Sequence, residues 1–204
     1  MLFRSVDVEG LNKLFEKDHL SLDTPSFHPV IATKITNDKL AHLTQTSLDH
    51  ILETENPAKD AVYRARLSVL STVPQTKGLS AQAASLAIVK VHNTKTGAYR
   101  DYDGKSQLKK DEKLALRFDL IVQDYSLQTG NEVVRIHVAD PSKLFRGVHA
   151  EDLVKAATKK AGSAQEKVWQ TLVNLHKFNV HMECVIGYDA DGRLEIRDTE
   201  VKEY

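Results

Sequence analysis

The run KLALRFDLIVQDYS, residues 113–126, most constrains what this chain can fold into. Its even positions carry Leu114, Leu116, Phe118, Leu120 and Val122, and its odd positions include Arg117, Asp119 and Gln123. Side chains of a strand point alternately to two faces, so the run predicts a long strand with one apolar and one polar face. QTGN turns the chain, and EVVRIHVA, residues 132–139, returns with Val134, Ile136 and Val138 inward and Arg135 and His137 outward. Upstream, SLAIVKVHNT reads as a strand that puts Lys90 and His92 outward if Val89 and Val91 point in. AYRDY pairs back before a turn at Asp103–Gly104. Two helices follow. HAEDLVKAATKKAG ends on a glycine cap at Gly162, and SAQEKVWQTLVNLHKFN opens with Ser163 and Glu166 in capping-box spacing. Trp169, Leu172, Val173 and His176 share the buried side of the second helix, where His176 is expected as a satisfied core histidine. Two strands joined by an Asp-Gly turn finish the chain in VHMECVIGYDADGRLEIRDTEV.

The earlier third has a different period. VEGLNKLFEKD predicts a short helix with Leu11, Leu14 and Phe15 on one side, and HPVIATKI a short strand ended by Asn37 and Asp38. DKLAHLTQTSLDHILETE spaces Leu40, Leu43, Leu48, Ile51 and Leu52 as a helix does. Asn56 then Pro57 fits a cap and a first helical position. PAKDAVYRARLSVLSTV continues as a helix, with an apolar stripe of Ala58, Ala61, Val62, Ala65 and Val69. The expected organisation is an α+β chain: a mainly helical lobe over residues 1–73, a linker at 74–83 (PQTKGLSAQA), and an α+β domain with an antiparallel sheet at 84–204.

Composition narrows the function classes. There is one cysteine, Cys184, so no intrachain disulfide can form, and a reducing compartment, the cytoplasm, is expected. No run of about 18 apolar residues is present, and the start shows no signal-peptide pattern, so no membrane partner is expected. Net charge is zero, but its distribution is uneven. Residues 1–60 hold 6 Lys/Arg against 10 Asp/Glu, residues 90–117 hold 8 against 4, and residues 179–204 hold 3 against 7. A basic centre between acidic ends can aim a polyanion at one face.

The element order after residue 84 resembles that of the OB-fold, in which a small barrel carries a helix between its third and fourth strands. It is also similar to whirly-type sheets, which display single-stranded nucleic acid on strands. The resemblance implies a sheet surface that binds single-stranded RNA or DNA without catalysis. Cations would meet phosphates, and flat rings would stack on bases without strong sequence readout. The expected site is Lys90, His92, Arg100, Tyr102, Arg117 and Arg135, with Lys105, Lys109 and Lys110 in the loop and Arg146, beside Gly147, ahead of a helix start. Tyr99 and Tyr125 are further candidate rings.

Two other functions compete. An acidic helical lobe suits a protein-interaction or assembly factor, and oligomers could line up several basic patches. The His-x-Thr/Ser triplets at His19–Ser21, His42–Thr44 and His92–Thr94 are the residue types of a two-histidine phosphodiesterase, which needs two of them on facing strands. DYDG and DADG echo the start of a calcium loop but lack its later acidic ligands, so turns explain them and no metal or cofactor is expected. A chain without family motifs is also compatible with a phage or mobile-element origin.

Overall fold

The computed structural model describes residues 30–54, 58, 60–105, 107–124, 133–139, 141–158, 163–177 and 180–202. The expected helix at 8–18, His19, the Asn56–Pro57 cap, Tyr125, the QTGN turn and Gly162 lie outside the described residues.

The strands are β1 (Val30–Ile31), β2 (Thr33–Lys34), β3 (Val62–Val73), β4 (Val89–Asn93), β5 (Tyr99–Asp101), β6 (Glu112–Leu116), β7 (Asp119–Gln123), β8 (Val134–Val138), β9 (Val180–Tyr188), β10 (Leu194–Asp198) and β11 (Glu200–Val201). The helices are α1 (Asp38–Ala41), α2 (Leu48–Glu53), α3 (Ala81–Ala87), α4 (Pro141–Leu144), α5 (Ala150–Thr158) and α6 (Ser163–Leu175). Strands β3, β7, β8, β10 and β9 pair in that order, and β9 pairs again with β3, so the sheet closes on itself. The ladder is antiparallel except between β8 and β10, which run parallel. With α5 and α6 between its third and fourth strands, this is an α+β, OB-like barrel. The short β1 adds to β9 in parallel, and β2 pairs with β11.

Four local expectations change. The end of the expected linker and the first residues of the expected strand SLAIVKVHNT form the helix α3, whose cap Ser80 accepts the Ala83 N–H at 3.3 Å. The helix expected over residues 57–73 is the strand β3, which pairs with β9 and then with β7. Ala65, Leu67 and Val69 alternate into the core at 0%, 0% and 5% exposure. A register shift between Val69 and Ser71 then moves burial to Thr72. A bulge of this kind breaks the period of two partway along, which leaves spacings that imitate a helix. The long strand expected at 113–126 is two strands. β6 belongs to a three-stranded sheet ordered β5-β4-β6, and β7 belongs to the barrel. Phe118, 1% exposed, fills the corner between them and stacks on Phe145 at 5.6 Å between ring centroids. The first barrel strand is therefore β3, and β4 to β6 form a side sheet inserted between the barrel's first and second strands. Finally, the helix expected at 38–55 is split into α1 and α2. Asn37 caps the first and Ser47 the second, and the buried Asp124 accepts the Leu48 N–H at 2.8 Å.

The core fills the barrel and runs out under α6, whose buried stripe is Gln165, Val168, Leu172 and Leu175. The Gln165 amide donates to the Leu153 carbonyl, the Ser85 hydroxyl donates to the Gln165 carbonyl, and Trp169 Nε1–H donates to the Leu79 carbonyl. These bonds tie α3, α5 and α6 together on one side of the barrel. His176 departs from expectation: its Nε2 is buried with no hydrogen-bond partner among the described residues.

Candidate nucleic-acid interface

Asp119 at the start of β7, Val134, Arg135 and His137 of β8, and Leu194 and Glu195 of β10 form the floor of a groove of about 1150 Å³. The inserted β4–β5–β6 sheet supplies one wall, through Lys90, Tyr99, Arg100, Asp101 and Arg117. The turn between β9 and β10 supplies another, through Asp189, Asp191, Gly192 and Arg193. Leu52, Val73 and Pro74 also line it. In OB-folds, oligonucleotides and oligosaccharides bind on the face of strands two and three, between the loop joining strands one and two and the loop joining strands four and five. In this barrel those parts are β7, β8, the inserted sheet and the Asp189–Arg193 turn, and the groove lies among them.

Side-chain alternation places the floor residues. Ile136 and Val138 point into the core at 0% and 2% exposure, so Arg135 and His137 face out, as expected from the sequence. Asp119 lies opposite His137 in the ladder. Its carboxylate accepts from His137 Nδ1–H at 2.8 Å and from the Arg135 guanidinium. Burial works against the Asp119 charge, but the bonds from His137 and Arg135 outweigh it and hold its pKa below the usual carboxylate range.

The wall carries the aromatic character. Val89 and Val91 are each 1% exposed, which turns Lys90 and His92 outward. Their register partners on β5 are Asp101 and Tyr99. Cross-strand partners share a face, so Tyr99 joins the face of Lys90 and His92, while Arg100 lies opposite Val91 on the other. Tyr102 is half-buried and packs against the hydrophobic core. Arg100 and Tyr102 fall in the same phase of the alternation, and of the two only Arg100 lines the groove. Tyr99 is the exposed ring, at 41%. It stacks on His92 with centroids 4.5 Å apart, and the Arg117 guanidinium lies 4.0 Å from its centroid. Nothing in composition separated Tyr99 from Tyr102; the β4–β5 register does.

The cations of the groove already have partners. Lys90 pairs with Asp101 at 2.6 Å, Arg100 with Glu112 at 3.0 Å and Arg193 with Asp191 at 3.4 Å. The Lys90 ammonium lowers the Asp101 pKa, and Arg100, with the Lys109 N–H, lowers that of Glu112. Lys90, Arg100, Arg117, Arg135 and Arg193 face Asp101, Asp119, Asp189, Asp191 and Glu195, so five cationic side chains meet five carboxylates in the groove. The second wall is preformed. Asp189 Oδ1 accepts from the N–H groups of Asp191 and Arg193, and Gly192 takes φ 76°, a conformation that favours glycine.

The remaining expected residues lie elsewhere. Lys105, Lys109 and Lys110 are exposed on the segment between β5 and β6 and do not line the groove. Arg146, at φ 54°, lines a separate depression and donates to the Lys202 carbonyl. The backbone N–H groups of Arg146, Gly147, Val148 and His149 all have acceptors within the chain, which leaves no anion cradle there. The phosphodiesterase geometry is not met by the described triplets. His42 is the exposed cap at the end of α1 and not a strand residue, and His92 stacks on Tyr99. Among the described residues, no group of three or more His, Cys, Asp or Glu is placed to hold a metal ion, and no helix is long and apolar enough to cross a membrane.

No family model matches the chain. The telomere-binding protein 51 kDa subunit of Euplotes crassus is 26% identical to it over 215 residues, which take in 98% of this chain and 44% of that protein. The chain thus spans less than half the length of this relative. A chain in the crystal structure of fission yeast Pot1 and Tpz1 superposes with a TM-score of 0.46 at 13% identity, covering 86% of this chain and 99% of that one.

Proposed function

We propose that the chain binds single-stranded DNA, without catalysing a reaction, along the groove over β7 and β8. The observation that carries this is the coincidence of the groove with the oligonucleotide face of an OB barrel. The similarity to a protein named for telomere binding favours DNA over RNA. On this account the chain works in the nucleus. That compartment is also reducing, so a single buried thiol, Cys184, suits it as well as it suits the cytoplasm.

The strand lies with bases turned toward Tyr99 and Arg117, whose flat groups stack with any base. Lys90 exchanges its exposed partner Asp101 for phosphate, and Arg100 and Arg135 reach phosphate while keeping Glu112 and Asp119. An ion pair with an exposed carboxylate is worth only about 0–1 kcal/mol, so the Lys90 exchange costs little. Lys105, Lys109 and Lys110 meet phosphates of strand leaving the groove.

Titration of short DNA strands over a range of salt concentrations tests the proposal. Single strands should bind more tightly than duplex of the same sequence, because paired bases cannot turn their faces to Tyr99. The salt slope should be shallow, near that of about one to three released counterions, since the groove has no net charge. Equal affinity for duplex and single strand would overturn the proposal.

A further inference from the structure

A second depression, of about 680 Å³, lies between α6 and the β1–β11 side of the barrel. It shares no lining residue with the groove over β7 and β8. Its apolar lining comes from Ala32, Phe145 and Leu175, all buried, with Val180 and Val201 half-buried and Val30 left 52% exposed. Its charged rim is one-sided: Arg146, Lys167, Lys177 and Lys202 against Glu166 alone. Among the described residues none of these four cations forms an ion pair. That contrasts with the first groove, where carboxylates balance the cations.

We propose that this groove docks an acidic amphipathic segment of a partner protein, with apolar side chains on the Val30–Val180–Val201 floor and carboxylates over the four cations. Val30 is exposed and Val180 and Val201 are half-buried, so apolar side chains laid on them are drawn out of water. A rim of unpaired positive charge selects acidic flanks and rejects basic ones. A helix laid in a groove presents anchors at i, i+3, i+4 and i+7 from one face and charges from the other, which is the complement required. Nucleic acid fits the floor less well, because Phe145, its one ring, is 2% exposed and offers no face to a base.

The test uses a fluorescent peptide of about four helical turns, roughly 14 residues, with Leu at i, i+3, i+4 and i+7 and Glu at most other positions. Its controls are a scrambled peptide of the same composition and a short DNA strand. The patterned peptide should bind the full chain at least about tenfold more tightly than the scrambled one. Lys167→Glu with Lys177→Glu should remove that preference, and so should Val201→Asp, while single-strand DNA affinity and melting temperature hold in the charge-reversal variant. The two lysines are exposed on the surface, so their reversal leaves the fold intact. Equal binding of both peptides, unchanged peptide affinity in the charge-reversal variant, or displacement of the peptide by the DNA strand would each overturn the proposal.

Discussion

A one-residue offset in β5 decides which tyrosine is exposed in the groove proposed to hold the strand. Tyr99 sits across from His92 on the open face, and Tyr102 packs against the core. Tyr99→Ala should therefore cost about 1–3 kcal/mol of single-strand affinity, the range for losing one stacked base, while Tyr99→Phe keeps most of it. Tyr102→Ala should lower the melting temperature and leave affinity per folded molecule unchanged. Measuring both quantities on both variants separates the roles. His176 and His181 make a second prediction at this scale. Burial lowers the pKa of each, with Lys77 adding to the effect on His176 and Arg66 on His181. In the unfolded chain both rings take up a proton near about pH 6.5, and in the folded chain only at lower pH. The unfolded state then binds more protons below about pH 6.5, so this contribution is fully present above that pH and is lost as pH falls from there through the lower folded values. The denaturant midpoint should drop between about pH 7.5 and pH 5.5, and His176→Leu should shrink that drop.

Among the elements, α3 takes up Ser85–Ala87 of the run expected as a strand, and β3, which joins two neighbours of the barrel, is a strand where a helix is expected. Its residues held the answer in part. Val62, Tyr63, Val69, Thr72 and Val73 are the β-branched and aromatic types that suit a pleated surface. The bulge after Val69 shifts the phase of burial, and Ala58, Ala61, Val62 and Ala65 fall by coincidence at helical spacing. Strands β4, β7 and β8 were legible from their alternation, and β5, β9 and β10 from the glycine turns beside them. That β6 leaves β7 for another sheet was not legible, since alternation runs unbroken through the corner at Arg117–Phe118 and only pairing partners reveal the bend. If β3 is the first barrel strand, Leu67→Ala should cost about 2–5 kcal/mol by leaving a cavity at a fully buried position. A helix on a separate lobe would instead leave barrel cooperativity intact. Chemical denaturation followed at Trp169, which is anchored to Leu79 beside the barrel, reads the difference.

For the molecule as a whole, charge shows why a sequence count could find the neighbourhood of the site and miss its character. The excess of cations over residues 90–117 is real, but folding brings Asp119, Asp189, Asp191 and Glu195 from distant strands into the same groove. Four of the expected site residues, Lys90, Arg100, Arg117 and Arg135, line it, and His92 stacks on its Tyr99; Tyr102, the lysines of the loop and Arg146 do not line it. The balance comes from pairing across β7, β8 and the β9–β10 turn, which no local window contains. The most direct measurement of the central claim is a titration of the isotope-labelled chain with a short DNA single strand, followed by backbone amide shifts. The account predicts perturbations confined to β7, β8, the Lys90–Asp101 wall and the Asp189–Arg193 turn, with residues around α6 unmoved. Shifts centred on α6, Arg146 and Lys202, with the β7–β8 floor silent, would contradict it.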